Sequence, residues 1–277
     1  MKQSVNYNLA QLLTCVLARD LENTDIVAYG LHAELGLGAA LLAQMLHAPY
    51  LRIRHGLRAG SGLPLSAPAW SERMHQGWKQ VDYWEEHPDM LLWGNPASPE
   101  TFSTVFFIGG MQIDQWGATN LIGIRNRVRS TKQNAAGSPY AVRGPGSVGT
   151  PSAAFFCKKY YIFSLMHTPK VFVPEVDYVS VPGTNRLQEL GYLDKRPRLC
   201  VTPLGVFDWD TRDGRMQIRS LHPGVSLETV VAQTGFNLQI PARIPVTALP
   251  TKKEIVQLSR LDQQGAFERL HEKMTHS

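Results

Sequence analysis

No apolar run in the 277 residues approaches the roughly 18 that a membrane span needs, and the polar opening MKQSVNYN has no signal-peptide core. The chain is therefore expected in the cytoplasm, with no membrane as partner. Cysteine is scarce: Cys15, Cys157 and Cys200 are odd in number and lack both CxxC and Cys/His ligand spacing, which argues against a disulfide framework and a structural zinc. An excess of one charge is also missing. The 28 basic and 23 acidic residues leave +5 spread along the chain, unlike the clustered basic stripe of a nucleic-acid binder. A small anionic ligand fits that balance better than a polymer. Neither a P-loop nor a dinucleotide fingerprint is present, no Ser/His/Asp order can be read, and HxxxH metal spacing is absent, so no metal is expected.

What is present reads as one α/β domain over 1–277. NLAQLLTCVLARDLEN places Leu9, Leu12, Leu13, Val16, Leu17 and Leu21 at three- and four-residue intervals, which predicts a helix with one apolar face. DIVAYG, then LGAALLAQMLHAP, then YLRIR read as strand, helix and strand. A crossover of that length implies a parallel βαβ unit with functional loops at the strand C-terminal ends. From about 60 to 99 the chain turns irregular and holds Trp70, Trp78, Trp84 and Trp93, four of its six tryptophans, the composition of an interface excursion. STVFFIGG and NLIGI read as further strands, and Ser130 to Ser152 as a glycine- and serine-rich loop. YYIF, VFV, VDYVSV, RLCV, GVF and MQIRS then read as short β segments. VSLETVVAQTGF, with its Ser cap, and TKKEIVQLSRL, with Thr251 and Glu254 in capping-box spacing, read as helices.

Four groups of residues are candidates for chemistry. YLRIRHGLRAGSG carries a buried strand into a glycine-rich loop bearing Arg54 and His55. His32 and Glu34 follow Gly30 at another strand end and could face a substrate, although a packing role fits them equally. FFIGGMQIDQWGATN runs a strand into Gly109 and Gly110 with Gln112 just after, a place where backbone N–H groups and amides can meet an oxyanion, or merely turn the chain. RGPGSVGTPS puts Arg143 at the mouth of Gly144, Gly146 and Gly149. Glycine amides and a guanidinium can converge on phosphate oxygens there, with a plain tight turn as the alternative. His47 and His222 sit in HAP and LHPG contexts that suit capping or packing.

FIGGMQIDQWGATN, VDYVSVPG, VTPLGVFDWD, SLHPGVSLETVVAQTGFNL and LPTKKEIVQLSRLD, in that order along the chain, resemble the β-type subunit of family I coenzyme A transferases, of the kind found in glutaconate CoA-transferase. The resemblance implies an open, mostly parallel sheet with flanking helices (a NagB-like fold), an α-type partner in a heterodimer or heterotetramer, and acyl-CoA substrates. Coenzyme A would come with the substrate, with no permanently bound cofactor. The transferases place a catalytic glutamate on the loop after the second strand. Here RIRHG stands in that place, Arg54 occupies the glutamate's position, and no carboxylate lies between Glu34 and Glu72. A guanidinium cannot form an acyl anhydride, so the loop resembles instead the divergent branches that open the last steroid rings of a CoA thioester or decarboxylate a methylglutaconyl thioester. Arg54 and His55 are then the catalytic candidates, to stabilise negative charge or shuttle a proton, with pairing to an acidic residue of the partner as the structural alternative for Arg54. A true transferase and a non-catalytic subunit that only binds CoA esters remain open alternatives.

Overall fold

A computed structural model describes residues 5–28, 34–53, 103–127, 138–147, 149–262 and 264–276. The expectations for His32, Arg54, His55 and the tryptophan-rich stretch of 60–99 lie outside these residues. The described chain falls into two compact units: unit 1 comprises the segments up to Ile108, Phe156–Tyr161 and those from Thr247 onward, and unit 2 comprises Gly109–Phe155 and Ile162–Val246.

Unit 1 contains the expected βαβ. Strand β1 (Ile26–Ala28) pairs in parallel with β2 (Arg52–Ile53) on one side and β3 (Val105–Ile108) on the other, in the registers Val27↔Ile53 and Val27↔Val105. Lys159, at the start of β8 (Lys159–Phe163), donates its amide to Thr104 O at 2.8 Å and lies alongside. Helix α1 (Leu9–Ala18) begins in an Asn8/Gln11 capping box and buries Leu12, Leu13 and Leu17. Each such leucine contributes about 1.5–3 kcal/mol. Helix α2 (Glu34–Leu46) is buried from Leu35 to Ala43. It can lie so close because it carries glycine: a Cβ at Gly36 would stand 2.5 Å from the Phe107 ring. Phe107 in turn stacks on Tyr161 at 5.1 Å.

The C-terminal helices close unit 1. Helix α6 (Lys252–Leu261) starts in the Thr251/Glu254 capping box read from the sequence, and Glu254 also receives Arg19 Nε and Nη2 at 2.8 Å each. The remaining Arg19 donors reach Ala248 O and Leu249 O at 2.8 and 2.7 Å. Burial alone would raise the Glu254 carboxyl, but Arg19 and the cap hold it below its ordinary range. Helix α7 (Ala266–Thr275), not anticipated from the sequence, buries Phe267, Leu270 and Met274 at helical spacing.

Unit 2 is built from antiparallel pairs. Strand β4 (Gln112–Ile113) pairs with β5 (Thr119–Asn120), and β6 (Gly123–Arg125) with β7 (Tyr140–Arg143). Strands β9 (Leu199–Val201), β10 (Gly205–Asp208) and β11 (Gln217–Leu221) form a meander, and Ser164, just past β8, donates to Val201 O at 3.0 Å. Phe172, Phe207, Trp209, Ile162 and Ile218 fill its core. Short helices α3 (Thr150–Phe156), α4 (Thr184–Glu189) and α5 (Leu227–Ala232) complete it, the last with the expected Ser226 cap on Thr229 N. The architecture is thus α/β with a mixed sheet and flanking helices, its parallel β1–β2–β3 part in unit 1.

Three sequence expectations change here. Strand β7 and the start of α3 lie inside the stretch read as loop, because β7 is only four mostly exposed residues, YAVR, set between glycine-, serine- and proline-rich flanks. VFV and VDYVSV make only isolated bridges, Ile113↔Phe172 and Thr119↔Val181. Finally, NLIGI divides into β5 and β6, where Asn120 Oδ1 accepts from the Ile122 amide at 2.9 Å and turns the chain.

Candidate functional site

Gly109 and Gly110 follow directly on β3, as the sequence predicts. A Cβ on Gly110 would stand 2.9 Å from Gln112 O, so the turn requires glycine there, whereas one on Gly109 would meet only Phe163 at 3.6 Å. Gly144 packs against the same turn: its Cβ would fall 2.6 Å from Met111 Sδ. Two stretches separated by thirty residues of sequence, FIGGMQ and RGPG, are therefore neighbours, and Met111 is what they share.

Their expected anion contacts are distributed differently from the sequence reading. The Gly144 and Gly146 amides donate to Ile122 O and Leu121 O at 2.8 and 2.9 Å, so neither points an unused N–H at a phosphate. Gly146 keeps its value as a turn residue, with φ +94° and nothing within 4 Å of a would-be Cβ. Gly149 leads into α3 and is partly buried. Arg143 is exposed, donates to Ile122 O and to Gly144 O, and lays its guanidinium carbon 5.1 Å from the Tyr140 ring centroid. The cation of this loop, rather than its glycine amides, is what faces outward.

Gln112 is likewise engaged. Its Oε1 accepts from Asn120 Nδ2 at 2.7 Å and from the Asp177 amide at 2.9 Å, and its Nε2 donates to Asp177 Oδ2 at 3.2 Å. Asp177 also receives the Arg125 amide at 3.0 Å and Arg127 Nη2 at 2.8 Å. Burial alone would raise its carboxyl, but these donors, Arg127 foremost, hold it below the ordinary carboxylate range. Gln112 thus ties the strand end to Asn120 and Asp177, with its Oε1 and one Nε2 N–H engaged. Sequence reading missed Asp177; VDYVSV carried no signal beyond an acidic residue inside an apolar run.

Asp114 caps the β4–β5 turn by accepting from the Trp116 and Ala118 amides at 2.9 and 3.0 Å, and burial pushes it up to about 6. Glu34 opens α2 and is partly buried. His47 is exposed and its ring bonds Leu21 O at 3.1 Å, whereas His222 is buried, as a packing role expects, and bonds Thr202 O at 2.9 Å. His167 was not singled out, yet it sits buried on Phe172, ring centroids 4.0 Å apart, between Thr202 Oγ1 and Thr234 Oγ1 at 2.8 and 3.0 Å. Desolvation lowers it to about 3. Among the described residues no group of three His, Cys, Asp or Glu side chains could hold a metal, and no helix is long and apolar enough to cross a membrane.

No protein-family model matches the chain. Its sequence is 28% identical over 168 residues to the B subunit of 3-oxoadipate CoA-transferase from Pseudomonas knackmussii, covering 58% of this chain and 60% of that one. It is 26% identical over 259 residues, 90% of each chain, to the B subunit of glutaconate CoA-transferase from Acidaminococcus fermentans. The chain is a relative of CoA-transferase B subunits. A further relative is the cholesterol ring-cleaving hydrolase IpdB subunit of Rhodococcus jostii, 31% identical over 53% of this chain and 55% of that one. The chain thus matches about 60% and 55% of the length of two of these relatives and 90% of the third. Solved structures share its fold. The decarboxylase AibA/AibB superposes with TM-score 0.73 at 20% identity over 96% of this chain and 99% of that one, and the Acidaminococcus glutaconate CoA-transferase with 0.72 at 24% over 95% and 97%.

Proposed function

We propose that this relative of the CoA-transferase B subunits is the β-type half of a heteromeric enzyme that hydrolyses or cleaves an acyl-CoA thioester, in place of transferring CoA between acids. The observation that carries this reading is the lack of any carboxylate between Glu34 and Glu72, the stretch in which the transferases keep their nucleophile. Without it the loop that follows the second strand has no group to hold an acyl anhydride. In hydrolysis, water attacks the thioester carbon, the C–S bond breaks, and the thiol leaves with a proton. Arg54 is assigned to the negative charge that develops on oxygen and His55 to the proton. That IpdB is a hydrolase subunit and AibA/AibB a decarboxylase supports a non-transferase reaction on this fold. The two-component names of the fold's neighbours support an α-type partner, and the tryptophans of 60–99 are assigned to that interface. Arg143, exposed beside Gly144, Gly146 and Gly149, is assigned to the CoA phosphates.

The test is turnover of acyl-CoA by the chain combined with its α-type partner, with and without an acceptor acid. Release of free CoA in the absence of acceptor is expected, and hydroxylamine trapping should leave the mass of this chain unchanged. Arg54→Ala should lower kcat/KM by about two orders of magnitude, the loss typical of one oxyanion contact. The second reading, a true transferase, is favoured by the end-to-end match with the glutaconate CoA-transferase B subunit. Acceptor-dependent exchange and a trapped glutamate such as Glu34 or Glu72 would establish it.

A further inference from the structure

We propose that the exposed β6–β7 hairpin of unit 2 holds the phosphorylated nucleotide end of the CoA ester on a ladder of guanidinium and phenol groups: Arg143, Tyr140, Tyr178 and Arg125. The inference rests on the CoA-ester reading above and extends its use of Arg143 to Tyr140, Tyr178 and Arg125, which that reading does not use. Arg143 lies over Tyr140 at 5.1 Å, Arg125 over Tyr178 at 5.3 Å, and the two rings meet at 5.4 Å with a 52° tilt. The register Arg125↔Tyr140 across the hairpin brings one half of the ladder to the other. A Cβ at Gly123 would stand 2.8 Å from the Tyr140 ring, so a glycine clears the space in which that ring lies.

Both cations are held without being neutralised. Arg125 Nη2 donates to Asp177 O at 3.0 Å, and Arg143 donates to Ile122 O and Gly144 O, all of them carbonyl oxygens. Among the described residues neither guanidinium is in an ion pair, whereas the nearby carboxylate of Asp177 is taken by Arg127. Two full positive charges thus stand fixed on an exposed face, their side-chain freedom already restricted by the rings beneath them. Val142 and Val179, 51% and 57% exposed, add an apolar margin. A bare anion would have no use for the rings and valines, and an uncharged base none for the cations. A purine carrying phosphates uses both, stacking on a planar guanidinium or phenol while its phosphates accept in-plane N–H bonds.

The experiment titrates adenosine 3′,5′-bisphosphate, which lacks the acyl and pantetheine portions, into the chain combined with its α-type partner, beside CoA itself and inorganic pyrophosphate. The bisphosphate is expected to bind, and Arg125→Ala and Tyr178→Ala to weaken it by roughly tenfold or more, the range of one stacking contact. Arg125→Lys keeps the charge but loses the plane, and should weaken binding nearly as much, which keeps the test decisive should Tyr178→Ala fail to fold. Pyrophosphate binding as tightly as the bisphosphate would overturn the nucleotide assignment. Binding of CoA and bisphosphate unaffected by all three substitutions would overturn the ladder and leave the CoA-ester reading standing; failure of the wild type to bind either would overturn both.

Discussion

Unit 1 closes leucine- and alanine-faced helices onto parallel strands and fastens them with ion pairs, Arg19 to Glu254 and Lys159 to Asp25 at 2.8 and 3.0 Å. Unit 2 joins strands of two to five residues through buried amides, hydroxyls and a histidine: Gln112 with Asn120 and Asp177, and His167 with Thr202 and Thr234. Helices with a continuous apolar face are stabilised by burial, which tolerates approximate shape. Unit 2 has an apolar core of its own around Phe172, Phe207 and Trp209 but, among the described residues, no long amphipathic helix to cover it, so individual polar contacts and glycines that let backbones meet carry more of its specificity.

The difference is sharpest at Gly117, in the β4–β5 turn of unit 2. Its φ is +77°, and a Cβ there would stand 2.8 Å from Pro197 and 2.9 Å from the fully buried Trp209, whose indole N–H donates to Gln115 O at 3.1 Å. Gly117→Ala combines left-handed strain with overpacking and should lower stability by about 2–4 kcal/mol in chemical denaturation. A loss below about 1 kcal/mol would show that the turn repacks freely and that unit 2 is less contact-specific than its geometry implies.

In unit 1 a comparable polar dependence is that on Arg19. Arg19→Ala leaves the Glu254 carboxylate, 8% exposed, without its main partner and Ala248 O and Leu249 O without theirs. The expected loss is about 1.5–3 kcal/mol, read as a lower denaturation midpoint. Restoring stability with Glu254→Gln in the Arg19→Ala background would identify the stranded charge, not lost packing, as the cause.

The same contrast decides what the sequence discloses. Helices α1 and α6 are legible because periodicity and capping are local signals, as are the two strands flanking α2. Strand β7 is not legible, because it is four mostly exposed residues whose pairing with β6 is a long-range contact. Within the candidate site, the glycine pair after β3 could be found from the strand-to-glycine transition. The proximity of Gly144 to Met111, the capture of Gln112 by Asp177, and the pairing of Tyr140 with Tyr178 depend on long-range contacts that no spacing encodes.

Acid should separate the buried polar groups of unit 2 from one another. His167 is lowered from 6.5 to about 3 and His222 to about 4, both mainly by burial, so each is neutral when folded while the unfolded chain takes up a proton below pH 6.5. Each therefore removes stability as pH falls below 6.5, by about 1.4 kcal/mol per pH unit until its folded value is reached. Asp114, raised from 3.8 to about 6 by burial, acts oppositely: it is protonated first in the folded state and returns stability between pH 6 and 4. Replacing one histidine isolates its share. His167→Gln should lose about 2 kcal/mol less than the wild type between pH 7 and pH 5, and identical losses would show that His167 titrates in the native state.

The smallest effect is expected where unit 2 copies the motif of unit 1. Arg127 to Asp177 is an ion pair of 2.8 Å, the same length as Arg19 to Glu254, and both carboxylates are nearly enclosed, 5% and 8% exposed. The arginines differ: the Arg127 side chain is 75% exposed and that of Arg19 is 31%. Water and salt screen the first pair, and ordering a long exposed side chain offsets most of its Coulomb gain. Asp177 moreover keeps the Gln112 amide and the Arg125 N–H when Arg127 is removed, whereas Glu254 keeps only its own helix cap. Arg127→Ala should therefore leave the denaturation midpoint unchanged within error at physiological salt, while Asp177→Ala, which strips acceptors from both Gln112 and the Arg125 amide, should lower it clearly. A loss for Arg127→Ala as large as that for Arg19→Ala would mean that contact length, not exposure, sets the worth of these pairs.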